Sequence, residues 1–345
     1  MQKWLKEVAR GKKGSKDLTY QETVEVAETL LSGQATSAQT AAYLVAERIK
    51  MESAEELLAF IHTLSDHADH LDLSADRQAQ AIDFAGPYNG RNSFAATIPV
   101  SLLLAEHGVP VFLSASDTLP PKYGTSLKAI MQELLISTEA TKQELTAMVE
   151  HDQFGFADTE QYCPALARVR PIREEIGVRT LFNTVEKLVN ISQAKNVMLG
   201  AFHRTAINKL SEVFKQLDYQ HVYVVQGLEG SEDVPVHRNS FVFDWTPEGL
   251  DSFIVRPEDY GLASKEFDKQ EKLSAVEQAH RVRAVFQGEQ TGKYRYAYHQ
   301  TLLNAGLRYY LFHITSSIEE GIELAKQQIH TGRALEKLQS LQQHN

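Results

Sequence analysis

Apolar positions in the first 70 residues recur at helical spacing. Thr19-Tyr-Gln-Glu22 has the form of a capping box, and Val24, Ala27, Leu30 and Leu31 then share one face until Gly33 ends the run. Thr36 or Ser37 caps a second helix, with Ala41, Leu44, Val45 and Ile49 facing inward. Ser53-Ala-Glu-Glu56 opens a third helix through Leu57, Leu58 and Ile61. These three amphipathic stretches, joined by short turns, predict a small helical module.

From about residue 80 the pattern changes to short apolar runs separated by helical ones. Strands are expected at 81–84, 109–113, 197–201, 222–225, 240–243 and 252–255, and helices at 94–107, 125–133, 141–151, 207–217 and 265–287. Such alternation predicts an α/β fold with a mostly parallel sheet flanked by helices. The last 60 residues read as helical, over 298–312, 317–325 and 332–338. No internal repeat or low-complexity tract interrupts the pattern.

A length of 345 residues suits two domains, and 43% apolar with 23% charged residues is ordinary for a globular protein. No apolar run approaches the ~20 residues needed to span a bilayer, and the N-terminus carries no apolar leader core. A cytoplasmic protein without membrane partners is expected. The single cysteine, Cys163, rules out an internal disulfide and Cys-rich metal sites. A net charge of −10 argues against a surface that binds nucleic acid indiscriminately. Basic patches nonetheless occur at 1–17 and 161–215, either as anion sites or as solvated helix faces.

The densest patch is Pro164–Asn183, with Arg168, Arg170, Arg173 and Arg179. Its Pro-Ala-Leu, Pro-Ile-Arg, Ile-Gly and Arg-Thr-Leu-Phe-Asn phrases resemble the substrate-side segment of the anthranilate phosphoribosyltransferase family, with Cys163 at that family's histidine. The resemblance runs end to end, through Gly33–Gln39, Ala42–Leu44, Pro257–Leu262, Val285–Glu289, Asn304-Ala305 and Glu319–Ala325. It implies a small helical N-terminal domain over 1–72 with a returning segment near 165–190, a larger phosphoribosyltransferase-like domain over 73–345, and a homodimer through the helical part. It also implies a phosphate-bearing ligand of the phosphoribosyl pyrophosphate type in the cleft between the two, held with Mg2+.

Site residues follow position by position. The family's glycine-rich turn, which brings backbone N–H groups close to a pyrophosphate, corresponds to Ala85–Phe94. Gly90, Asn92, Ser93 and Phe94 match, Arg91 adds charge, and Pro87 and Tyr88 depart from the pattern. In the second phosphate strand Leu113 and Asp117 replace cations, while Lys122, Gly124 and Thr125 survive as an anion site at a helix start. Gly90, Arg91, Asn92, Ser93, Lys122, Gly124 and Thr125 are therefore the expected phosphate and pentose contacts. Arg173, with Arg170, matches the position beside the acceptor's carboxylate, or makes a structural ion pair with a nearby acid. Glu232 and Asp233 stand at the magnesium acids, or form a solvated acidic loop. The cleft is expected to be basic, with Arg168, Arg170, Arg173, Arg179, Arg91 and Lys122 converging on it. Two function classes follow. One is a pentosyl transferase, either with an acceptor other than anthranilate or as an authentic anthranilate phosphoribosyltransferase. The other is a non-catalytic, homodimeric nucleic-acid-binding relative, suggested by Gly86-Pro-Tyr-Asn-Gly90.

Overall fold

Reciprocal capping boxes start the helices of the N-terminal module. Thr19, Thr36 and Ser53 each accept from the backbone of Glu22, Gln39 and Glu56, whose side chains accept from the cap's own N–H. In the computed structural model, which describes residues 1–86, 90–201, 205–265, 267–268 and 270–343, the module comprises α1 (Gln2–Val8), α2 (Tyr20–Leu31), α3 (Ser37–Lys50) and α4 (Ala54–Asp66). α5 (Ala75–Gln80) leads into β1 (Ile82–Ala85), followed by α6 (Thr97–Glu106) and β2 (Val111–Ala115). Next come α7 (Leu127–Glu133), α8 (Lys142–Asp152), β3 (Phe154–Asp158), α9 (Thr159–Tyr162), α10 (Pro164–Ile176) and α11 (Phe182–Val185). The chain continues through β4 (Asn196–Gly200), α12 (Thr205–Phe214), β5 (His221–Val225), β6 (Ser240–Thr246) and β7 (Gly249–Val255). It ends with α13 (Ala275–Phe286), α14 (Arg295–Leu311), α15 (Ile318–His330) and α16 (Arg333–Gln342).

The seven strands lie in the order β3-β2-β1-β4-β5-β6-β7. Pairing is parallel from β3 to β5 and antiparallel from β5 to β7. β3 falls outside the expected strands: its run of Phe154-Gly-Phe-Ala-Asp158 is short and interrupted by a glycine. α13 begins ten residues later than expected, where Ser274 accepts from the backbone N–H of Glu277.

Alternate strand residues feed two cores. Val225, Tyr223, Met198 and Phe84 pack with α6 and α13 to α16 on one face. Val222, Val224, Val197 and Phe112 pack on the other face with α1 to α4, α10 and α12. The helical module therefore shares its core with the sheet rather than closing one of its own. α10 returns to contact α2 and α3, and α11 contacts α4. Cys163, at the start of α10, is fully buried, with its thiol 3.6 Å from the Leu64 carbonyl oxygen on α4. No helix among the described residues is long and apolar enough to cross a membrane.

Candidate functional site

After β1 the sheet grows towards β2 and β3 on one side and, later, towards β4 and β5 on the other. The crevice beyond the carboxyl ends of the strands at such a switch point is where open α/β sheets bind ligands. The loops after β1, β2 and β5 meet there. Pro87 and Tyr88, two departures from the family turn, lie outside the described residues.

Backbone pairing welds two of these loops together. The Arg91 N–H donates to Thr125 O at 2.8 Å, and the Thr125 N–H donates back to Arg91 O at 2.9 Å. Gly90 has φ +65°, and a Cβ there would lie 2.5 Å from the Gly124 backbone. Gly90 and Gly124 are therefore required by close approach of chain to chain. Thr125 donates its hydroxyl to Leu273 O at 2.7 Å, so its side chain fastens a loop.

Arg91 does not point a cation into the crevice. It is 1% exposed, with Nη2 2.7 Å from Glu232 Oε1 and Nη1 bonded to Asp233. Arg308 of α14 reaches the same Asp233 carboxylate at 3.0 Å, and Thr97, at the start of α6, donates its N–H to Asp233 at 3.0 Å and its hydroxyl to both acids. Burial alone would raise the Asp233 carboxyl. The two guanidinium groups outweigh it and hold Asp233 below the usual carboxylate range. These contacts answer the magnesium expectation. Glu232 and Asp233 are 1% and 0% exposed and already engaged by arginines, whereas magnesium keeps several waters in its shell. Among the described residues no three His, Cys, Asp or Glu side chains gather to hold a metal. The pair does not fit a hydrated Mg2+, and Arg91 is a structural partner rather than a phosphate ligand.

A second cluster of donors lies one step away. Backbone N–H groups of Asn92 and Ser93 and the Ser93 hydroxyl converge as donors, and a carboxylate is already seated among them. Glu229 Oε1 accepts from Ser93 N at 2.7 Å, Ser93 Oγ at 2.5 Å and Asn92 N at 3.1 Å. Its other oxygen meets the Lys122 ammonium, which also donates to Gly90 O at 3.1 Å. Burial pushes Lys122 down to about 8, helped by Arg91 and Arg179. Asn92, Ser93 and Lys122 thus come together as the sequence suggested, around Glu229, which sequence reasoning passed over in favour of its neighbours in Glu229–Asp233.

The expected acceptor arginines are likewise met by carboxylates. Arg173, 2% exposed, donates to Glu186 Oε2 at 2.7 Å and lies over the Phe182 ring. Arg170 donates to Glu160 at 2.6 Å, to Glu174 at 3.2 Å and to the carbonyls of Asp117 and Thr118. Arg168 caps the Leu31 carbonyl at the end of α2. The basic cleft expected from the sequence is instead a charge-compensated one. Beside it, a 470 Å³ cavity between α3 and the end of β4 is lined by Arg48, Met51, Arg179, Asn183, Lys187 and Leu199. Burial lowers the Lys187 ammonium there, and it donates to Gly200 O at 3.2 Å. At the family's histidine, Cys163 is an inert structural thiol, pushed up to about 11 by burial.

Comparison with known proteins agrees with this architecture. The helical bundle domain of the glycosyl transferase family matches residues 2–68, and the a/b domain of that family matches residues 80–335. Anthranilate phosphoribosyltransferases from Shouchella clausii and a Thermoanaerobacter species are 29% and 27% identical, over 94% of each chain in the first case and 97% and 96% in the second. The crystal structure of anthranilate phosphoribosyltransferase from Thermus thermophilus superposes with a TM-score of 0.81 at 24% identity, over 99% of this chain and 98% of that one. The Saccharomyces cerevisiae enzyme in complex with PRPP and Mg gives 0.83 at 18% identity, over 99% and 97%.

Proposed function

Since the chain belongs to the glycosyl transferase family, with anthranilate phosphoribosyltransferases among its relatives, we propose that it binds a phosphate-bearing ligand of the phosphoribosyl pyrophosphate type at the switch-point crevice. The observation that carries this reading is the seat made by Asn92, Ser93 and Lys122, whose donors already hold a carboxylate. Groups that satisfy a carboxylate satisfy a phosphate oxygen by the same charge-assisted bonds. Anthranilate is not the expected acceptor of a pentosyl transfer here, because Glu186 occupies Arg173, the position beside the acceptor's carboxylate. Binding through this seat is expected without a Mg2+ on Glu232 and Asp233, because Arg91 and Arg308 neutralise those two acids.

The cytoplasm is the expected compartment, and a homodimer through the helical module the expected state, with Ile49 of α3 left 55% exposed. Calorimetric titration with phosphoribosyl pyrophosphate, with and without Mg2+, tests the ligand. Binding that is unchanged by the metal supports the reading, and no binding under either condition overturns it. Anthranilate consumption, followed by its fluorescence, is expected to stay far below the ~1–10 per second of an ordinary enzyme. Steeply salt-dependent retention on oligonucleotides together with no phosphoribosyl pyrophosphate binding would favour the nucleic-acid-binding class instead.

A further inference from the structure

We propose that the Glu229 carboxylate is a built-in competitor for the anion seat, so that a terminal phosphate enters only by displacing it. The inference rests on the phosphate-ligand reading above and adds the residue that selects the ligand. Four observations carry it. Among the described residues, the donors of the seat all reach Glu229: two backbone N–H groups, one hydroxyl and one ammonium. The seat belongs to the glycine-welded loops after β1 and β2, whereas Glu229 comes from the separate loop after β5. The Glu229 side chain is 18% exposed, so it is not sealed in. It borders an open groove of 530 Å³, lined also by His237, Arg238 and Glu271, into which a displaced carboxylate can turn.

A carboxylate presents two oxygens and one charge, while a phosphate presents three oxygens and up to two charges to the same donors. A phosphomonoester or orthophosphate dianion therefore outcompetes Glu229, whereas a monoanionic carboxylate ligand gains nothing over the resident one. The arrangement selects for a terminal phosphate and against carboxylates without any divalent cation. Glu229 acts here as a specificity-determining residue, not a catalytic one.

The test is titration of orthophosphate and pyrophosphate, in the presence of a chelator, into wild-type protein, Glu229→Gly, Glu229→Gln, and Glu229→Gly combined with Lys122→Ala. Glycine accepts the φ of +58° found at Glu229, and glutamine keeps the shape while removing the charge. Removing the competitor is expected to tighten phosphate binding by on the order of tenfold or more, the worth of one or two charge-assisted hydrogen bonds. Glu229→Gln should gain less, and Lys122→Ala should erase the gain. Unchanged affinity in both Glu229 variants, or a gain that survives Lys122→Ala, overturns the proposal. The Glu229→Gln arm keeps the test decisive if Glu229→Gly fails to fold. Phosphoribosyl pyrophosphate titrated in parallel separates the two claims. Tighter phosphate binding with no phosphoribosyl pyrophosphate binding to any variant retains the competitor and removes the ligand reading. Equal phosphoribosyl pyrophosphate affinity for wild type and Glu229→Gly does the reverse.

Discussion

Asp83, in the middle of β1, illustrates how a single buried carboxyl sets the pH response. It is 4% exposed and accepts one hydrogen bond, from Ser192 Oγ at 2.9 Å, and burial pushes its pKa to about 7, from an ordinary value near 4. A carboxyl whose folded pKa is raised stabilises the protein below its unfolded value, and that contribution is lost as pH rises through about 7. Asp83→Asn keeps an acceptor for Ser192 and carries no charge. Urea melts should show it more stable than wild type at pH 8, by roughly 1–3 kcal/mol, and equal to wild type near pH 4. Equal stability of the two proteins at both values would show that burial does not raise the Asp83 pKa and that the carboxyl ionises in the folded protein without cost. At this scale the sequence identified many of the chemically significant side chains but not their partners. Arg91 and Asp233 are both in the phrases that resemble the family, yet 142 positions separate them. Whether a cation faces solvent, a ligand or a carboxylate is decided by which distant loop packs beside it, and periodicity carries no information on that.

Among the elements, those with local signals were readable. Thr19, Thr36 and Ser53 each announce a helix because cap and reciprocal acid lie three residues apart. α10 was hidden by its prolines. Pro164 sits at the first turn, where no N–H is needed, and Pro171 lies inside the helix, so both read as breakers. The Arg91 network binds elements of different origin: the loop after β1, the start of α6, the loop after β5, and α14. Arg91→Ala would leave Glu232 and part of Asp233 buried without their countercharge, and breaking a buried pair from one side typically costs about 3–5 kcal/mol. A loss of that size is expected by chemical denaturation, together with a weakened anion seat, since Arg91 is adjacent to Asn92. A loss under about 1 kcal/mol would show that Arg308 and Thr97 suffice to hold the two acids.

For the molecule as a whole, the order of helical module and α/β domain was evident from the change of hydrophobic period near residue 80. The sharing of one core between the module and a sheet face was not, because it depends on α10 and α12 packing across both. Assembly is expected to follow the module. Light scattering should give twice the 38.7 kDa chain mass, and Ile49→Lys should shift the population towards monomer by placing a charge on an exposed apolar position of α3. A mass that stays at that of one chain over a wide concentration range would remove the dimer.

The buried thiol at the junction of α4 and α10 has a consequence for measuring time. Cys163 is the chain's one cysteine, so a disulfide reagent has a single target, and in the closed molecule that target is both shielded and protonated. Every modification event must then be preceded by a separation of α10 from the module. At high reagent concentration the labelling rate should level off at the frequency with which that seam opens. The protein thus carries its own clock for the motion of its two parts, and a ligand that bridges them would slow it.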